Sequence, residues 1–130
     1  MILFKSQDKL PFDYLVSSGA LTANASGVQS LTLQPDSWFE LCVVAGSCTE
    51  DLDTDFMPNN FSFQITDQGT GRLLSNARIP ERIGAPYHGY RLLSPVSFAP
   101  NTTLLFEFLN LTANTNTVSL VLHGYKNFKL

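Results

Sequence analysis

The chain has 130 residues, a formal net charge of −3 at neutral pH and only 15% charged residues. A chain of this length is sufficient for one domain with one hydrophobic core. The acidic balance argues against a protein that wraps nucleic acid, because backbone binding needs clustered Lys and Arg to displace counterions. We therefore expect no direct nucleic-acid partner.

The amino-terminal residues Met1 to Lys5 lack the apolar core and the small-residue cleavage site of a secretory signal. No apolar run approaches the ~20 residues that a helix needs to span a membrane. These features predict a protein that is synthesised in a reducing cytoplasm and has no membrane partner. Cys42 and Cys48 are accordingly expected to be thiols, since one lies in a predicted strand and the other directly after it.

The first part of the chain contains three predicted strands. Residues 1–12, which we expect to form an extended N-terminal arm, and residues 125–130 carry apolar side chains that are unusual for free tails, and we expect one or both ends to be docked. Residues 13–22 and 28–33 are predicted to form a hairpin, because Asn, Ser and Gly mark a turn between them. The third run, 38–45, is apolar on both faces, which is typical of a central strand. Its predicted faces are Phe39, Leu41, Val43 and Ala45 on one side and Trp38, Glu40, Cys42 and Val44 on the other.

The middle of the chain combines one clear strand with irregular segments. Residues 61–66 alternate between apolar and polar side chains, so one face of that strand is expected to be buried. A turn at 67–71 leads to a short strand at 72–75. Residues 76–89 contain prolines and glycines, and we predict an irregular excursion of a length that is usually functional or disordered in compact domains.

The last part of the chain is predicted to contain strands at 90–98, 103–110 and 117–125. With the earlier runs this makes about eight strands, separated by turns rich in Asn, Gly and Pro, and no segment shows a convincing helical period. The pattern predicts an all-β protein, a jelly-roll-like antiparallel β-sandwich. We place the sandwich domain at 13–125 and a C-terminal tail at 126–130.

The densest cluster of charge is the acidic segment 50–55, in which Asp residues alternate as they do in calcium-binding loops. The match fails where such a loop needs a Gly and a bidentate Glu, since Phe56 and Ser62 stand at those positions. A solvated acidic loop is the simpler interpretation. We expect no metal ion and no other cofactor, although the sequence leaves open an ion in this loop.

No local motif indicates catalysis. Nucleophilic catalysis needs a base within hydrogen-bond reach of an activated Ser or Cys, and the two histidines, His88 and His123, lie far apart in the sequence. Glu40 and Glu107 lie in apolar strands and would suit a hydrolase if both were buried, but such residues more often face solvent. We therefore expect a protein that is not an enzyme.

Two groups of residues are candidates for contact with a partner. The arginines lie close together in sequence and away from the acidic segment, so two patches of opposite sign could face a partner or another copy. Chance, or pairing of these two segments with each other, is the competing interpretation. Leu105 and Leu109 lie on the strand phase opposite Phe106 and could also be offered to another copy. The arginines are Arg72, Arg78, Arg82 and Arg91.

The aromatic residues Trp38, Tyr87 and Tyr90 are not explained by a buried strand face. If they converge on an exposed groove, their rings could stack on sugar faces. A glycan- or receptor-binding module of a virion is therefore the alternative function. All three residues are also candidates for a protein interface.

Four segments resemble small proteins encoded in the structural modules of tailed bacteriophages. They are Trp38-Phe39-Glu40-Leu41, Asp55-Phe56-Met57-Pro58-Asn59-Asn60-Phe61, Asn76-Ala77-Arg78-Ile79-Pro80 and Leu104-Leu105-Phe106-Glu107-Phe108-Leu109-Asn110. Over essentially the whole chain, the sequence is similar to capsid decoration (cement) proteins with a jelly-roll sandwich. No site residue can be carried over, since these proteins share architecture more than motifs.

The resemblance implies a homodimer or homotrimer that binds the major capsid protein. It would lie on the exterior of the capsid in the virion, reinforce the lattice against internal DNA pressure and have no catalytic activity. It also implies synthesis in the cytoplasm of a bacterial host.

Overall fold

The computed structural model describes residues 8–49, 60–86 and 89–128. Within these ranges the chain forms strands joined by short connections and one helix of four residues. The elements are β1 (Lys9–Leu21), β2 (Ser26–Thr32), β3 (Trp38–Cys48), β4 (Phe61–Asp67), β5 (Arg72–Leu73), β6 (Ile79–Pro80), α1 (Glu81–Gly84), β7 (Tyr90–Phe98), β8 (Thr103–Asn110) and β9 (Asn116–Asn127). In the part of the chain described, no helix has the length and apolar character needed to cross a membrane.

The strands form two antiparallel sheets that enclose a common core. Sheet A has the order β1-β9-β3-β7, and sheet B has the order β2-β8-β4-β5, with β6 also paired to β4. Because β5 and β6 pair with different parts of β4, they share one position in sheet B. Four strand positions in each sheet, with most consecutive strands in opposite sheets, make a jelly roll. The predicted all-β, jelly-roll-like sandwich is therefore confirmed.

The core lies between the sheets and is rich in phenylalanine. Alternate residues of β8, among them Leu104 and Phe106, are buried, as the alternation predicts. Leu105 and Leu109 are half-buried on the outer face of the same strand. Burial of each large apolar side chain stabilises the fold by roughly 1.5–3 kcal/mol. The fully buried phenylalanines come from both sheets and are Phe39, Phe61, Phe98, Phe106 and Phe108.

A β-bulge in β3 changes the faces that simple alternation predicts. Cys42 is the extra residue, because its neighbours Leu41 and Val43 pair with consecutive residues of β9. One inserted residue moves all the following side chains to the opposite face. Val44 therefore points into the core and is only 4% exposed. The prediction that Val43 and Ala45 share the face of Leu41 is wrong for this reason.

Both ends of the sandwich extend beyond the predicted boundaries. β1 begins at Lys9 and pairs with β9 from that residue on, so residues 9–12 of the predicted arm belong to sheet A. β9 continues to Asn127 and includes the first two residues of the predicted tail. The domain therefore begins four residues earlier and ends two residues later than predicted. Residues 1–7 of the arm and 129–130 of the tail lie outside the described residues.

The predicted excursion at 76–89 contains two elements that the sequence pattern did not indicate. β6 pairs with β4, and α1 follows it directly. The carboxylate of Glu81, which is 4% exposed, accepts a hydrogen bond from the Asn60 backbone N–H at 2.7 Å. Gly84 lies against Ile79, and a Cβ at position 84 would be 2.6 Å from that side chain. Residues 79–84 therefore pack as part of the sandwich.

Candidate functional site

The structure brings the arginine-rich part of the sequence to one side of the sandwich. On that side β7 is the outer strand of sheet A, and β5 and β6 are outer strands of sheet B. We call this side, residues 72–84 together with 90 and 92–95, the arginine edge. An apolar cavity of about 240 Å³ lies between its strands. Its walls include Leu74, Ile79 and Ile83 from one side and Val44, Tyr90 and Leu92 from the other.

Arg72 links the two sheets at the arginine edge. Its guanidinium donates a hydrogen bond to the Ser97 carbonyl at 3.2 Å and lies 3.6 Å from the Asp67 carboxylate. The guanidinium carbon is also 5.4 Å from the centre of the Phe98 ring. Ser97 and Phe98 belong to β7 of sheet A, whereas Arg72 belongs to sheet B. Arg72 therefore has a role within the chain, and its part in a partner contact stays a prediction.

The other three arginines face solvent and fall into two groups. Arg78 and Arg82 are exposed, four residues apart, on the segment that contains β6 and α1. Arg91 lies on β7 opposite Val43 and lines a depression on the outer face of sheet A. Within the described ranges, none of these three arginines forms an ion pair. Two uncompensated cations therefore remain at the arginine edge, and a third lies on a separate face.

Exposed apolar side chains also occur on the elements of the arginine edge. Leu73, Ile83 and Leu93 are 51%, 57% and 103% exposed. Leu93 lies in an irregular part of β7, where the four residues between Arg91 and Val96 stand opposite a single residue of β3. Sequence analysis did not identify these three side chains as surface contacts. The proline in that part of β7 was the available signal, because proline lacks the N–H that a ladder requires.

The arginine edge is poorly suited to the addition of a further strand. β5 and β6 have two residues each, β6 contains Pro80, and β7 bulges between Arg91 and Val96. Short strands, prolines and bulges are devices by which sheets avoid pairing with foreign strands. A partner at this edge therefore has to be bound through side chains.

Two of the three aromatic residues that were candidates for a shared groove, Trp38 and Tyr90, are far apart. Trp38 is half-buried at the start of β3. Tyr90 lies opposite Val44, six residues and about 20 Å further along that strand. Trp38 and Tyr90 are therefore too far apart to stack on the same sugar ring, and Tyr87 lies outside the described residues.

Leu105 and Leu109 lie on the outer face of sheet B, as their strand phase predicts. Leu105 stands between Ser30 and Thr66 on the neighbouring strands, and Leu109 likewise stands between two serines. Both leucines are half-buried. This face is therefore a mixed surface of leucine and small polar side chains.

The outer face of sheet A carries the histidine of the last strand. His123 pairs with Asp13, with 2.9 Å between Nδ1 and Oδ1. Cys42 lines the same depression, but its thiol donates to the Glu40 carbonyl oxygen at 3.7 Å. An activated thiol needs a hydrogen bond to its base, and among the described side chains none joins Cys42 to His123.

In the described ranges, no three side chains of His, Cys, Asp or Glu come close enough together to hold a metal ion. The acidic segment 50–55, which was the sequence candidate, lies outside those ranges.

Compared with known protein families and with curated proteins, the chain matches no family model and no curated relative. The fold and the surfaces of the chain are therefore the basis on which a function can be proposed.

Proposed function

We propose that the protein is a structural component of a bacteriophage virion, a decoration protein that binds the outside of the capsid lattice and reinforces it. The observation that carries this proposal is the arginine edge. There, Arg78 and Arg82 lack an ion pair within the described residues, and three exposed apolar side chains lie on strands or the helix of the same edge. Arginine is enriched in protein interfaces, and the buried centre of such an interface is apolar. The jelly-roll sandwich and the resemblance to decoration proteins agree with this role.

The chemistry of the edge indicates the kind of partner surface that fits it. Arg78 and Arg82 supply two positive charges from one short segment of a chain whose net charge is −3. Carboxylates on the major capsid protein would form charge-assisted hydrogen bonds with these guanidinium groups. An apolar patch on the same partner would cover the exposed Leu73, Ile83 and Leu93. The partner surface therefore combines carboxylates with apolar groups.

Reinforcement of a lattice follows from repeated contacts of this kind. A molecule that binds the assembled lattice but not its separated subunits stabilises the assembly by mass action. A homodimer or homotrimer would bind at more than one point and so remain attached even where each single contact is weak. Such a protein needs no catalytic group.

Co-sedimentation with capsids purified from the phage that encodes the chain tests this function. The double variant R78Q/R82Q should weaken binding at least about tenfold, equivalent to ~1.4 kcal/mol. Its thermal midpoint should stay unchanged, because both side chains are exposed and unpaired among the described residues. The matched control A23E/A113E changes the net charge by the same amount in exposed turns and should bind like the wild type.

Two outcomes would refute the proposed function. One is a wild-type chain that does not co-sediment with the capsids. The other is a control variant that loses as much binding as R78Q/R82Q, because net charge would then explain the effect without the arginine edge.

A further inference from the structure

The outer face of sheet A carries an ordered arrangement of side chains in two neighbouring rows. The first row crosses β1, β9, β3 and β7, whose register places one residue of each strand side by side. These residues are Asp13, His123, Val43 and Arg91. The second row is formed by Leu15, Val121 and Ala45. Gly89 directly precedes β7 and adjoins this row, since a Cβ at position 89 would lie 2.7 Å from the Val43 Cγ1 and 3.9 Å from the Ala45 Cβ. The first row thus has a carboxylate, Asp13, at one end and a guanidinium, Arg91, at the other. The second row has the large side chain of Leu15 at one end and Gly89, which has no side chain, at the other.

Both rows are accessible. Leu15 is 71% exposed, and the Asp13 side chain is 51% exposed. Arg91 is exposed and has no ion pair in the part of the chain that the structure describes. Two depressions of about 230 and 330 Å³ meet at His123 and follow β9 along the face.

We infer that this face binds the same face of a second copy of the chain, related by a two-fold axis that runs parallel to the strands between β9 and β3. This operation reverses the order of the strands but keeps each row at its own level, so that β1 lies over β7 of the second copy. Such an interface is isologous, and every contact occurs twice. The contact identifies a second copy of the chain as one of the partners in the proposed function, and the inference rests on that proposed function.

The two-fold matches both rows at once. Asp13 faces Arg91 of the second copy, which supplies the carboxylate that this arginine lacks within the described chain. Leu15 faces Gly89 of the second copy, where no side chain projects, and packs against the Gly89 backbone and the adjoining Val43 side chain. His123 lies over Val43, and Val121 lies over Ala45. A single operation therefore pairs opposite charges in one row and large with small residues in the next.

The face is large enough for a specific dimer. Four strands about 4.8 Å apart and roughly 30–43 Å long present an area of the order of 700 Å² on each copy. Specific interfaces of standard size bury roughly 800 Å² on each partner. Two sheets that pack face to face lie about 10 Å apart, which allows their side chains to interdigitate.

Light scattering of the full chain over a range of concentrations tests this interface, and the wild type should form dimers. D13K and R91E each place two pairs of like charges opposite each other and should raise the dissociation constant at least about tenfold. An equimolar mixture of the two variants should dimerise again, because each charge then faces the opposite charge on the other variant. Circular dichroism checks that both variants are folded. R91E is the better controlled of the two variants, because it removes no ion pair within the described residues, whereas D13K removes the pair of Asp13 with His123.

Three results would overturn the inference: a wild type that is monomeric at every concentration, variants that remain dimeric, or a mixture that stays monomeric. Co-sedimentation with capsids separates this inference from the proposed function. A monomeric wild type that still binds capsids overturns the dimer alone. A dimer with the expected charge dependence that ignores capsids overturns the decoration role alone.

Discussion

Gly124 of β9 lies so close to Glu40 of β3 that a Cβ at position 124 would overlap the Glu40 carbonyl oxygen. The contact lies beside the β-bulge at Cys42. Glycine permits this approach because it has no Cβ. The bulge that turns Val44 into the core is therefore coupled to a glycine on the neighbouring strand.

We expect Gly124→Ala to lower the free energy of unfolding by about 1–3 kcal/mol, because backbone atoms and not a flexible side chain would have to move. Urea unfolding measures the loss as a lower midpoint. Ser119→Ala, on the outer face of the same strand, is the control and should change stability by less than about 0.5 kcal/mol. Equal effects of the two substitutions would contradict the importance of the close contact.

A substitution of Leu93 is expected to affect capsid binding but not stability, whereas a substitution of Phe106 is expected to lower stability. Leu93 is 103% exposed, so Leu93→Ser should change stability by less than about 0.5 kcal/mol and yet weaken co-sedimentation with capsids. Phe106 is fully buried, and Phe106→Ala should cost about 3–5 kcal/mol through the cavity that it leaves. Denaturant unfolding and capsid binding, measured on both variants, check the contrast. A Leu93→Ser variant that binds capsids like the wild type would count against this residue as a contact.

Arg72 should matter for stability, unlike Arg78. Arg72→Ala removes a hydrogen bond to Ser97, an ion pair with Asp67 and a cation–π contact with Phe98. We expect a loss of about 1–2 kcal/mol. Arg72→Lys keeps the charge but not the planar donor group and should recover only part of that loss. A thermal midpoint that Arg72→Ala leaves unchanged would show that the two sheets do not depend on this link.

Asp36 should account for part of the acid sensitivity of the fold. A hydrogen bond from Lys126 Nζ, at 3.0 Å, is the main cause that lowers the pKa of Asp36 from its ordinary value of 3.8. Because the pKa is lower in the folded than in the unfolded chain, the pair stabilises the fold above about pH 4. This stabilisation is lost as the pH falls through the folded pKa.

Asp36→Asn should therefore flatten the decrease in thermal midpoint below about pH 4. Lys126→Met removes the hydrogen-bond donor and should flatten the profile in the same way, although it also affects a buried position. Thermal unfolding monitored by circular dichroism at a series of pH values measures both profiles. If Asp36→Asn keeps the wild-type profile, the carboxyl does not contribute through its pKa.

Alternation of side chains was sufficient to predict most of the strands. The predicted strands at 90–98 and 103–110 coincide with β7 and β8. Strand residues alternate between two faces, so burial of one face leaves a local pattern in the sequence. The bulge at Cys42 leaves no such pattern, because it depends on the close approach of Gly124 from a strand far away in the chain.

The candidate contact residues were less predictable than the strands. Proximity in sequence suggested that the four arginines form one patch, but the structure gives them three different environments. Arg72 links the sheets, Arg78 and Arg82 remain at the arginine edge, and Arg91 faces outward from sheet A. The direction in which each arginine points depends on how its own segment is paired in the sheets. Segments that are close in the sequence are paired differently.

Composition and a two-residue period were enough to establish a β-sandwich with an aromatic core, since both depend on which side chains leave water. The arrangement of side chains on the outer faces depends in addition on the register in which the strands pair. Asp13 and Arg91 lie in one row only because β1, β9, β3 and β7 pair in a particular register. A slip of one residue in any of these pairings would move a side chain to the opposite face. That register is set by contacts between strands distant in the chain, and no local pattern encodes it.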